Sequence, residues 1–178
     1  FIEAAKINNV KKIVYLGGLF NPKSVLSRHL ESRKKVGDIL RNSEIPCITF
    51  RASIILGSGS ISYEMIRNLT EKLPIMITPK WVRVKAQPIG VNDVISYLIK
   101  AIDLNINKSE IYEIGGQDQV SYSDIMKEYA LQKKLTLFII PVPFLSPYLS
   151  SLWLSFVTPL YAKVGMKLIK SIKNATIV

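Results

Sequence analysis

The sequence predicts an α/β fold with a parallel sheet. Short apolar runs rich in β-branched residues alternate with longer segments in which apolar residues recur at helical spacing, which is typical of strand–helix–strand units. Three of the runs are followed by glycines, as expected where a strand gives way to a turn. Because 48% of the 178 residues are hydrophobic and 21% are charged, the composition excludes a disordered protein.

The elements follow in order along the chain. Residues 1–6 are typical of the second half of a helix, so we expect the chain to be truncated at its N-terminus relative to a complete domain. Strands are predicted at residues 12–16, 47–56, 111–114 and 137–142. Helices are predicted at residues 26–42, 60–72, 92–103 and 121–133.

Periodicity and capping residues support these helices. In the second helix, Ile61, Met65 and Leu69 recur at four-residue spacing and form an apolar stripe. Asn92 is the predicted N-cap of the third helix. The sequence SYSD at 121–124 resembles a capping box with Asp in place of Glu, which predicts the start of the fourth helix.

The counts of reactive and charged residues narrow the classes of function. One histidine and one cysteine exclude a zinc site of the usual type and an internal disulfide, and the apolar neighbours of Cys47 predict a buried strand position. A cytoplasmic location fits this cysteine usage. The net charge of +11 is spread along the chain, and no basic run is interleaved with aromatic residues, so we expect no nucleic-acid site.

Residues 135–162 contain no charged residue, and the stretch is long enough to raise the question of a membrane span. Four prolines interrupt it, at Pro141, Pro143, Pro147 and Pro159. We therefore expect a buried strand followed by a short aromatic helix that contains Trp153 and Phe156.

Ligands of open α/β folds bind beyond the carboxyl ends of the strands, which directs attention to the glycines there. The sequence GSGS at 57–60 precedes a helix and is a weak motif for an anion at a helix N-terminus. His29 and Arg33 are four residues apart and share one face of the first predicted helix. A histidine there can donate or accept a proton, and a surface helix with both side chains in water is the alternative.

The order of the segments resembles one family. VKKIVYLGGL, HLESRKKVGDIL, ITFRASIILGSGS, QPIGVNDV and YEIGGQDQVSYSDIM succeed one another as in the second half of an extended-type short-chain dehydrogenase/reductase. More narrowly, the chain resembles the atypical NAD(P)H-binding branch related to NmrA-like proteins and to the accessory Rossmann-type subunit of respiratory complex I. The resemblance implies an NAD(P)-binding Rossmann-like fold and an NAD(P)H cofactor, without distinguishing NAD from NADP.

The positions that carry catalysis in that family are changed in this chain. Gly17 and Gly18 stand where the family has a Ser or Thr hydroxyl, His29 stands where it has tyrosine, and Arg33 stands where it has lysine. The resemblance therefore implies His29 and Arg33 as the catalytic candidates, with Arg33 also able to bind the nicotinamide ribose. Cofactor binding survives these changes better than the family's standard catalysis does.

The resemblance also implies positions for the ligands. Besides Arg33, the cofactor candidates are Leu16, Gly17, Gly18, Ala52, Ser53 and Ile54. The substrate candidates are Tyr63, Glu64, Trp81 and Gln87. Core packing is the alternative for the two aromatic residues, and a solvated helix position is the alternative for Glu64. Asp93 is most simply a helix-capping residue.

The glycine-rich G-x-x-G-x-x-G fingerprint that holds a dinucleotide pyrophosphate does not occur in the sequence. We therefore predict that residues 1–134 are the C-terminal part of an NAD(P)-binding Rossmann-like domain with a small substrate-side excursion. Residues 135–178 would complete the substrate side or contact a further domain. An exposed apolar face at 135–162 would also suit a membrane surface, and the oligomeric state is left open.

Two functions fit these observations. The first is an NAD(P)-dependent oxidoreductase acting on a small quinone-like or carbonyl molecule, with Gly17, His29 and Arg33 in place of the usual Ser, Tyr and Lys. The second is a non-catalytic nucleotide-binding regulator or assembly factor, which the altered catalytic positions favour. A membrane-surface handler of lipid or quinone is a third hypothesis and depends on exposure of residues 135–162.

Overall fold

A computed structural model describes residues 1–22, 25–142 and 176–178, apart from the side chains of Lys80 and Trp81. The described helices are α1 (Ile2–Ile7), α2 (Arg28–Arg41), α3 (Ile61–Lys72), α4 (Val91–Asp103) and α5 (Tyr122–Gln132). The described strands are β1 (Ile13–Gly18), β2 (Cys47–Ala52), β3 (Ile55–Leu56), β4 (Ile75–Pro79), β5 (Lys85–Ala86), β6 (Ile89–Gly90), β7 (Glu110–Ile114), β8 (Val120–Ser121) and β9 (Phe138–Val142), with a 3₁₀ turn at Lys80–Arg83.

A three-stranded sheet in the order β1-β2-β7 forms the centre of the fold, and both of its pairings are parallel. β2 is the middle strand, and Cys47 and Ile48 are completely buried in it. A parallel strand covered on both faces needs apolar residues at successive positions, which the run of β2 supplies. The predicted parallel α/β sheet is confirmed, as is the buried position of Cys47.

Helices cover the two faces of this sheet. On the α2 face, Leu40 packs against Ile13 and Cys47. On the α4 face, the Phe50 ring of β2 lies 5.7 Å from the Tyr97 ring of α4 and 5.9 Å from the Tyr112 ring of β7, measured between centroids. The three-layer arrangement results because each helix has one apolar face to bury against the sheet.

A second cluster of buried side chains lies where α3 and α5 pack on the β4–β9 pair. Its members are Met65, Ile66, Leu69, Met76, Met126 and Tyr129. β4 and β9 are parallel, with Ile75 opposite Phe138 and Ile77 opposite Ile140. The stripe predicted on the second helix is the part of α3 that enters this cluster, since Met65 and Leu69 are buried there.

Three of the predictions about elements are wrong. The run 47–56 is not one strand: β2 ends at Ala52, and the chain continues as β3, which pairs with β6. Asn92 is not an N-cap, because α4 already begins at Val91 with Gly90 as its cap residue. β9 is not buried: Phe138 and Ile140 are exposed because β9 pairs only with β4 among the described strands and turns alternate side chains outward.

The other helix predictions are confirmed close to their expected bounds. The SYSD capping box is present: the Ser121 hydroxyl accepts the Asp124 N–H, and the Asp124 carboxylate accepts the Ser121 N–H at 3.0 Å. The predicted aromatic helix with Trp153 and Phe156 lies outside the described residues. Within the described ranges, no helix combines the length and apolar composition that crossing a membrane requires.

Candidate functional site

A cavity of ≈ 140 Å³ opens at the carboxyl ends of β1 and β2. This is the edge at which open parallel sheets bind ligands. Its lining comprises Gly18, Leu19, His29, Leu30, Ala52, Ser53, Ile54, Ser62, Val84, Lys85, Ala86, Tyr122 and Thr176. Most of these are apolar, with a few hydroxyl groups, one histidine and one lysine among them. Binding sites for small organic molecules have that composition.

The first wall is built by the end of β1 and the start of α2. The Leu19 N–H donates to the Ala52 carbonyl at 2.7 Å, which holds the ends of β1 and β2 side by side. α2 begins at Arg28, and its N-cap Ser27 accepts the Leu30 N–H at 3.3 Å. His29 therefore lies in the first turn of α2, lining the cavity while its side chain stays exposed. An exposed residue in a cavity lining lies at the opening.

Gly18 makes this wall possible because it has no side chain. A Cβ added at Gly18 would come within 2.8 Å of the Leu30 Cδ2 atom. A larger residue there would have to displace the end of the Leu30 side chain, and the backbone of Gly18 is directly accessible from the cavity.

The second wall is built by the turn after β2 and by the C-terminal residues of the chain. The Ser53 hydroxyl hydrogen-bonds the Thr176 hydroxyl at 2.6 Å, and Ile54 is buried. The backbone of Thr176 makes two further hydrogen bonds. Its carbonyl accepts the Gln87 N–H at 3.0 Å, and its N–H donates to the Lys85 carbonyl at 3.3 Å. Segments far apart in sequence thus close the same cavity.

The floor carries residues that sequence reasoning did not identify. Tyr122 is 7% exposed, and burial raises the pKa of its phenol well above the usual range. Lys85 pairs with Ser121 in the antiparallel β5–β8 ladder, which brings the start of α5 to the cavity. Ser62 of α3 is a further lining residue that sequence reasoning did not identify. The capping box marks the position of Tyr122 along the chain, but no sequence signal connects it with His29.

The cofactor candidates fall into two groups. Gly18, Ala52, Ser53 and Ile54 line the cavity together with His29. Leu16 instead packs, partly buried, against the core on the α4 face of the sheet. Gly17 and Arg33 line a second, much smaller depression on the α2 face, with Tyr15, Thr49 and Arg51 among its other lining residues; Gly18 lines both spaces.

His29 and Arg33 therefore remain on successive turns of α2 but open into different spaces. The backbone carbonyl of Arg33 accepts the Tyr15 hydroxyl at 3.1 Å, which fixes this turn over β1. The depression around Arg33 is strongly basic, and part of its charge is already neutralised. Asp38 pairs with Lys34 at 2.8 Å and with Arg41, and the Lys34 hydrogen bond, with Arg41, holds the pKa of Asp38 below its usual value.

Three of the four substrate candidates, Tyr63, Glu64 and Gln87, do not line the cavity. The Tyr63 ring packs edge-on against Tyr129 in the α3–α5 cluster. Glu64 is mostly buried rather than solvated, 2.6 Å from the Arg67 guanidinium, a pair that is close enough to be ionic but is not aligned as a hydrogen bond. Gln87 donates to the Gly116 carbonyl at 2.7 Å and accepts the Val178 N–H at 3.0 Å. The side chain of Trp81 is outside the described part of the chain.

The GSGS loop before α3 has a structural explanation. Gly59 has a φ of +80°, which strains any other residue. The Ser60 hydroxyl caps α3 by accepting the Tyr63 N–H at 3.5 Å, and it donates to the Ile55 carbonyl at 2.6 Å. The helix N-terminus is thus capped by its own chain. Among the described residues, no group of three or more His, Cys, Asp or Glu side chains could hold a metal ion.

Comparisons with known proteins identify the fold. No protein-family model and no curated protein matches the sequence. Among solved structures, the chain is similar to the NADPH-dependent quinone oxidoreductase QOR2 of Escherichia coli, solved with NADPH (TM-score 0.74, 19% identity, 97% of this chain and 57% of that one). It is also similar to triphenylmethane reductase of Citrobacter sp. (TM-score 0.73, 16% identity, 97% and 58%).

A third similar structure is dTDP-4-dehydrorhamnose reductase of Bacillus anthracis, solved with NADP (TM-score 0.61, 15% identity, 80% of this chain and 55% of that one). The chain thus spans little more than half the length of these enzymes. At such identities the similarity concerns the fold, which agrees with the parallel β1-β2-β7 sheet and its covering helices. The chain therefore shares its α/β fold with these solved reductases.

Proposed function

We propose that the cavity at the carboxyl ends of β1 and β2 is a substrate site for NAD(P)H-dependent reduction of a small carbonyl or quinone-like molecule. The observation that carries this proposal is the meeting of His29 with Gly18 and with Ala52, Ser53 and Ile54 around one cavity. It combines the chain's only histidine with the positions that the family resemblance assigns to the nicotinamide. Quinone and dye reductases among the similar structures support the substrate class.

The residues present fit a nicotinamide ring. Gly18 leaves its backbone open to the cavity, and Ala52 and Ile54 offer apolar contacts to a flat ring. Ser53 offers a hydroxyl beside them, already engaged with Thr176 at 2.6 Å. Reduced nicotinamide, when bound, supplies a hydride. A pyrophosphate cradle of the glycine-rich type is absent from the printed sequence, so tight cofactor binding requires residues beyond these.

The chain's own residues would provide the proton and exclude water. Reduction of a carbonyl or quinone oxygen takes up a proton as the hydride adds, and His29 holds one on a ring nitrogen at the cavity opening. The apolar walls from Leu30, Ile54 and Val84 keep water from competing for the substrate. The buried ring of Tyr122 closes the floor of the cavity.

A non-catalytic nucleotide-binding regulator is the second candidate function. Two observations favour it: Gly17 and Gly18 offer no hydroxyl to a substrate oxygen, and Arg33 opens into the separate depression rather than the cavity. A sensor needs only that the reduced and oxidised nucleotide bind with different affinity.

Substitution of His29 distinguishes the two functions. In the longest native polypeptide that contains this sequence, NADPH binding is measured by fluorescence titration and turnover by quinone reduction. For a reductase, His29→Ala lowers kcat by about 10²- to 10⁴-fold and leaves the NADPH Kd unchanged. Arg28→Gln, one residue earlier and outside the cavity lining, is the matched control and retains turnover.

Three outcomes decide between the functions. Unchanged turnover in His29→Ala would remove His29 from the chemistry and overturn the proposed mechanism. NADPH binding with no turnover on any quinone or carbonyl tried, together with a difference in affinity between NADPH and NADP⁺, would establish the regulator. Absence of binding of both NADPH and NADH by the polypeptide would exclude both functions.

A further inference from the structure

Three helices begin at the cavity. His29, Ser62 and Tyr122 line it, and each is the first or second residue of its helix, α2, α3 and α5 respectively. These helices have 14, 12 and 11 residues. Aligned peptide dipoles place a partial positive charge at the N-terminus of a helix. The three helix ends therefore direct positive potential toward one space.

Lys85 adds a full positive charge to the lining of the cavity. Its backbone is held on two sides, since it pairs with Ser121 in the β5–β8 ladder and its carbonyl accepts the Thr176 N–H. None of the ion pairs among the described residues involves Lys85. Asp124 does not neutralise it: the hydrogen bond from Ser121 is the main cause of the lowered pKa of Asp124, and the charge of Lys85 is the smallest.

No Asp or Glu is among the described residues that line the cavity. The first turns of the three helices do contain acidic residues, but each of these lies elsewhere. Glu31 lines a separate groove along α2, Glu64 lies against Arg67, and Asp124 belongs to the capping box of α5. The positive potential inside the cavity is therefore not offset by a carboxylate in its lining.

The depression on the α2 face shows the opposite arrangement. Its lining also contains basic residues, but most of them have carboxylate partners. Asp38 pairs with both Lys34 and Arg41, and Glu113 lies 3.5 Å from the Arg51 guanidinium. Basic residues that are matched in this way stabilise the fold and attract a ligand weakly. An unmatched lysine beside three helix N-termini is the arrangement that attracts an anion.

From this contrast we infer that the cavity selects ligands that carry an anionic group, and that Lys85 is the residue that binds this group. The inference rests on the proposed function, because the substrate of the reduction is then a carbonyl or quinone-like molecule with a carboxylate or similar substituent. His29 and Lys85 belong to different elements, so one ligand can present its carbonyl oxygen to the first and its anionic group to the second. The apolar walls strengthen the attraction, since they keep water from the charges.

Three benzaldehydes of nearly the same shape test the selection. They are 4-formylbenzoate, 4-formylbenzamide and 4-formylbenzamidinium, which are anionic, neutral and cationic. Calorimetry on the polypeptide used for the NADPH titration measures the Kd of each in the presence of NADP⁺, so that no hydride is available. We expect the carboxylate to bind about five- to tenfold more tightly than the amide, and the amidinium more weakly than either. High salt should narrow these differences.

Substitution of Lys85 tests the residue. In Lys85→Gln the ratio of carboxylate to amide affinity should fall to about twofold or less, and Lys85→Arg, which keeps the charge, should retain it. Lys127→Gln is the matched control, because Lys127 is also exposed and also lowers the pKa of Asp124 but does not line the cavity. It should leave the ratio unchanged. Damage to the fold would weaken both ligands together and would not change their ratio.

Turnover separates this inference from the proposed function. With NADPH in place of NADP⁺, the aldehyde carbon accepts the hydride and the oxygen accepts the proton held by His29, giving the benzyl alcohol and NADP⁺. The order of kcat/KM among the three probes should follow the order of affinity. A preference for the carboxylate that depends on Lys85, without turnover of these probes or of quinones, would support anion selection and overturn the reductase.

Three results would overturn the inference. Equal affinity for the three probes would show that the cavity does not select by charge. Failure of the carboxylate to bind would exclude an anionic ligand of this size. A preference for the carboxylate that survives in Lys85→Gln would show that the net charge of +11, rather than Lys85, attracts the anion.

Discussion

Two regions of the molecule are packed with different types of buried side chain. The sheet region, comprising β1, β2, β7, α2 and α4, is packed by β-branched and aromatic residues such as Ile48 and Phe50. The helix-pair region, comprising α3, α5, β4 and β9, contains three of the chain's four methionines, Met65, Met76 and Met126. Methionine fills irregular space and tolerates repacking, whereas β-branched side chains hold one rotamer. The cavity lies where the stiffer region meets the more adaptable one.

The largest expected effect comes from a substitution in the sheet region. Phe50→Ala removes a ring that is 4% exposed and contacts both Tyr97 and Tyr112. We expect the free energy of unfolding to fall by about 3–5 kcal/mol, because the strands and helices around the ring cannot collapse into the space. Chemical denaturation measures this loss. Ile48→Val, which removes one methylene in the same strand, is the control and costs about 0.5–1.5 kcal/mol.

Met65→Ala tests the adaptable side and should cost less than Phe50→Ala, about 2–3 kcal/mol, although Met65 is only 1% exposed. Met65→Leu conserves the volume and should cost less than about 1.5 kcal/mol. The double variant Phe50→Ala, Met65→Ala sharpens the comparison, since clusters without shared contacts give additive losses within about 0.5 kcal/mol. A larger coupling would show that the two regions form one cooperative core.

Tyr129→Phe removes the side-chain hydrogen bond that joins α5 to α3. The Tyr129 hydroxyl donates to the Glu71 carboxylate, and burial with this contact raises the pKa of Tyr129 to about 12. We expect a loss of about 1.5 kcal/mol at neutral pH. Because the folded pKa is raised, the wild-type contribution is complete below about pH 10 and falls as the pH rises toward 12, and the variant lacks this alkaline decline. An identical alkaline limb in both proteins would contradict the assignment.

The smallest effect compares one carboxylate from each region. Hydrogen bonds from the Ser121 side chain and backbone lower the pKa of Asp124, and the hydrogen bond from Lys34 is the main cause of the lowered pKa of Asp38. We expect each Asp→Asn change to cost at most about 1 kcal/mol. Both contributions are present above the unfolded value of about 3.9 and are lost as the pH falls below it.

Salt separates the two carboxylates. The Asp38 contribution depends on exposed charge pairs and should shrink in high salt, because mobile ions screen them. The Asp124 contribution depends on hydrogen bonds within the capping box and should persist. Acid unfolding of both variants at low and high ionic strength measures the difference. Equal salt sensitivity would show that Asp124 acts through its charge rather than through the cap.

The sequence predicts the helices of both regions much better than the short strands. α2, α3 and α5 have periodic signals and caps that act locally, so their types and approximate bounds follow from the chain itself. β4 was not predicted, because its five residues follow Pro74 and end in Pro79, and prolines so placed resemble those of a loop. β5 and β8 have two residues each and depend on pairing with distant segments, β5 with both β8 and Thr176.

The predicted site residues also fall into two groups, those that line the cavity and those that lie elsewhere. His29 and Ala52, Ser53 and Ile54 were expected near one ligand, and they do line one cavity. Arg33 was expected with them but lines the depression on the α2 face, since one helical turn carries it back over β1, away from the carboxyl end of the strand. Tyr63, Glu64 and Gln87 were expected at the substrate and instead have packing, ionic and hydrogen-bonding partners elsewhere. Their roles in binding stay predictions.

By itself, the sequence determined the elements whose signals are local: the buried run of β2, the stripe on α3 and the capping box at the start of α5. These follow from alternation, helical period and hydrogen bonds within four residues. Only the tertiary structure decided that Lys85, Tyr122 and Thr176 share a cavity with His29, and that β2 lies between β1 and β7. Such contacts join residues far apart in the chain, and no local preference encodes which distant segments will meet.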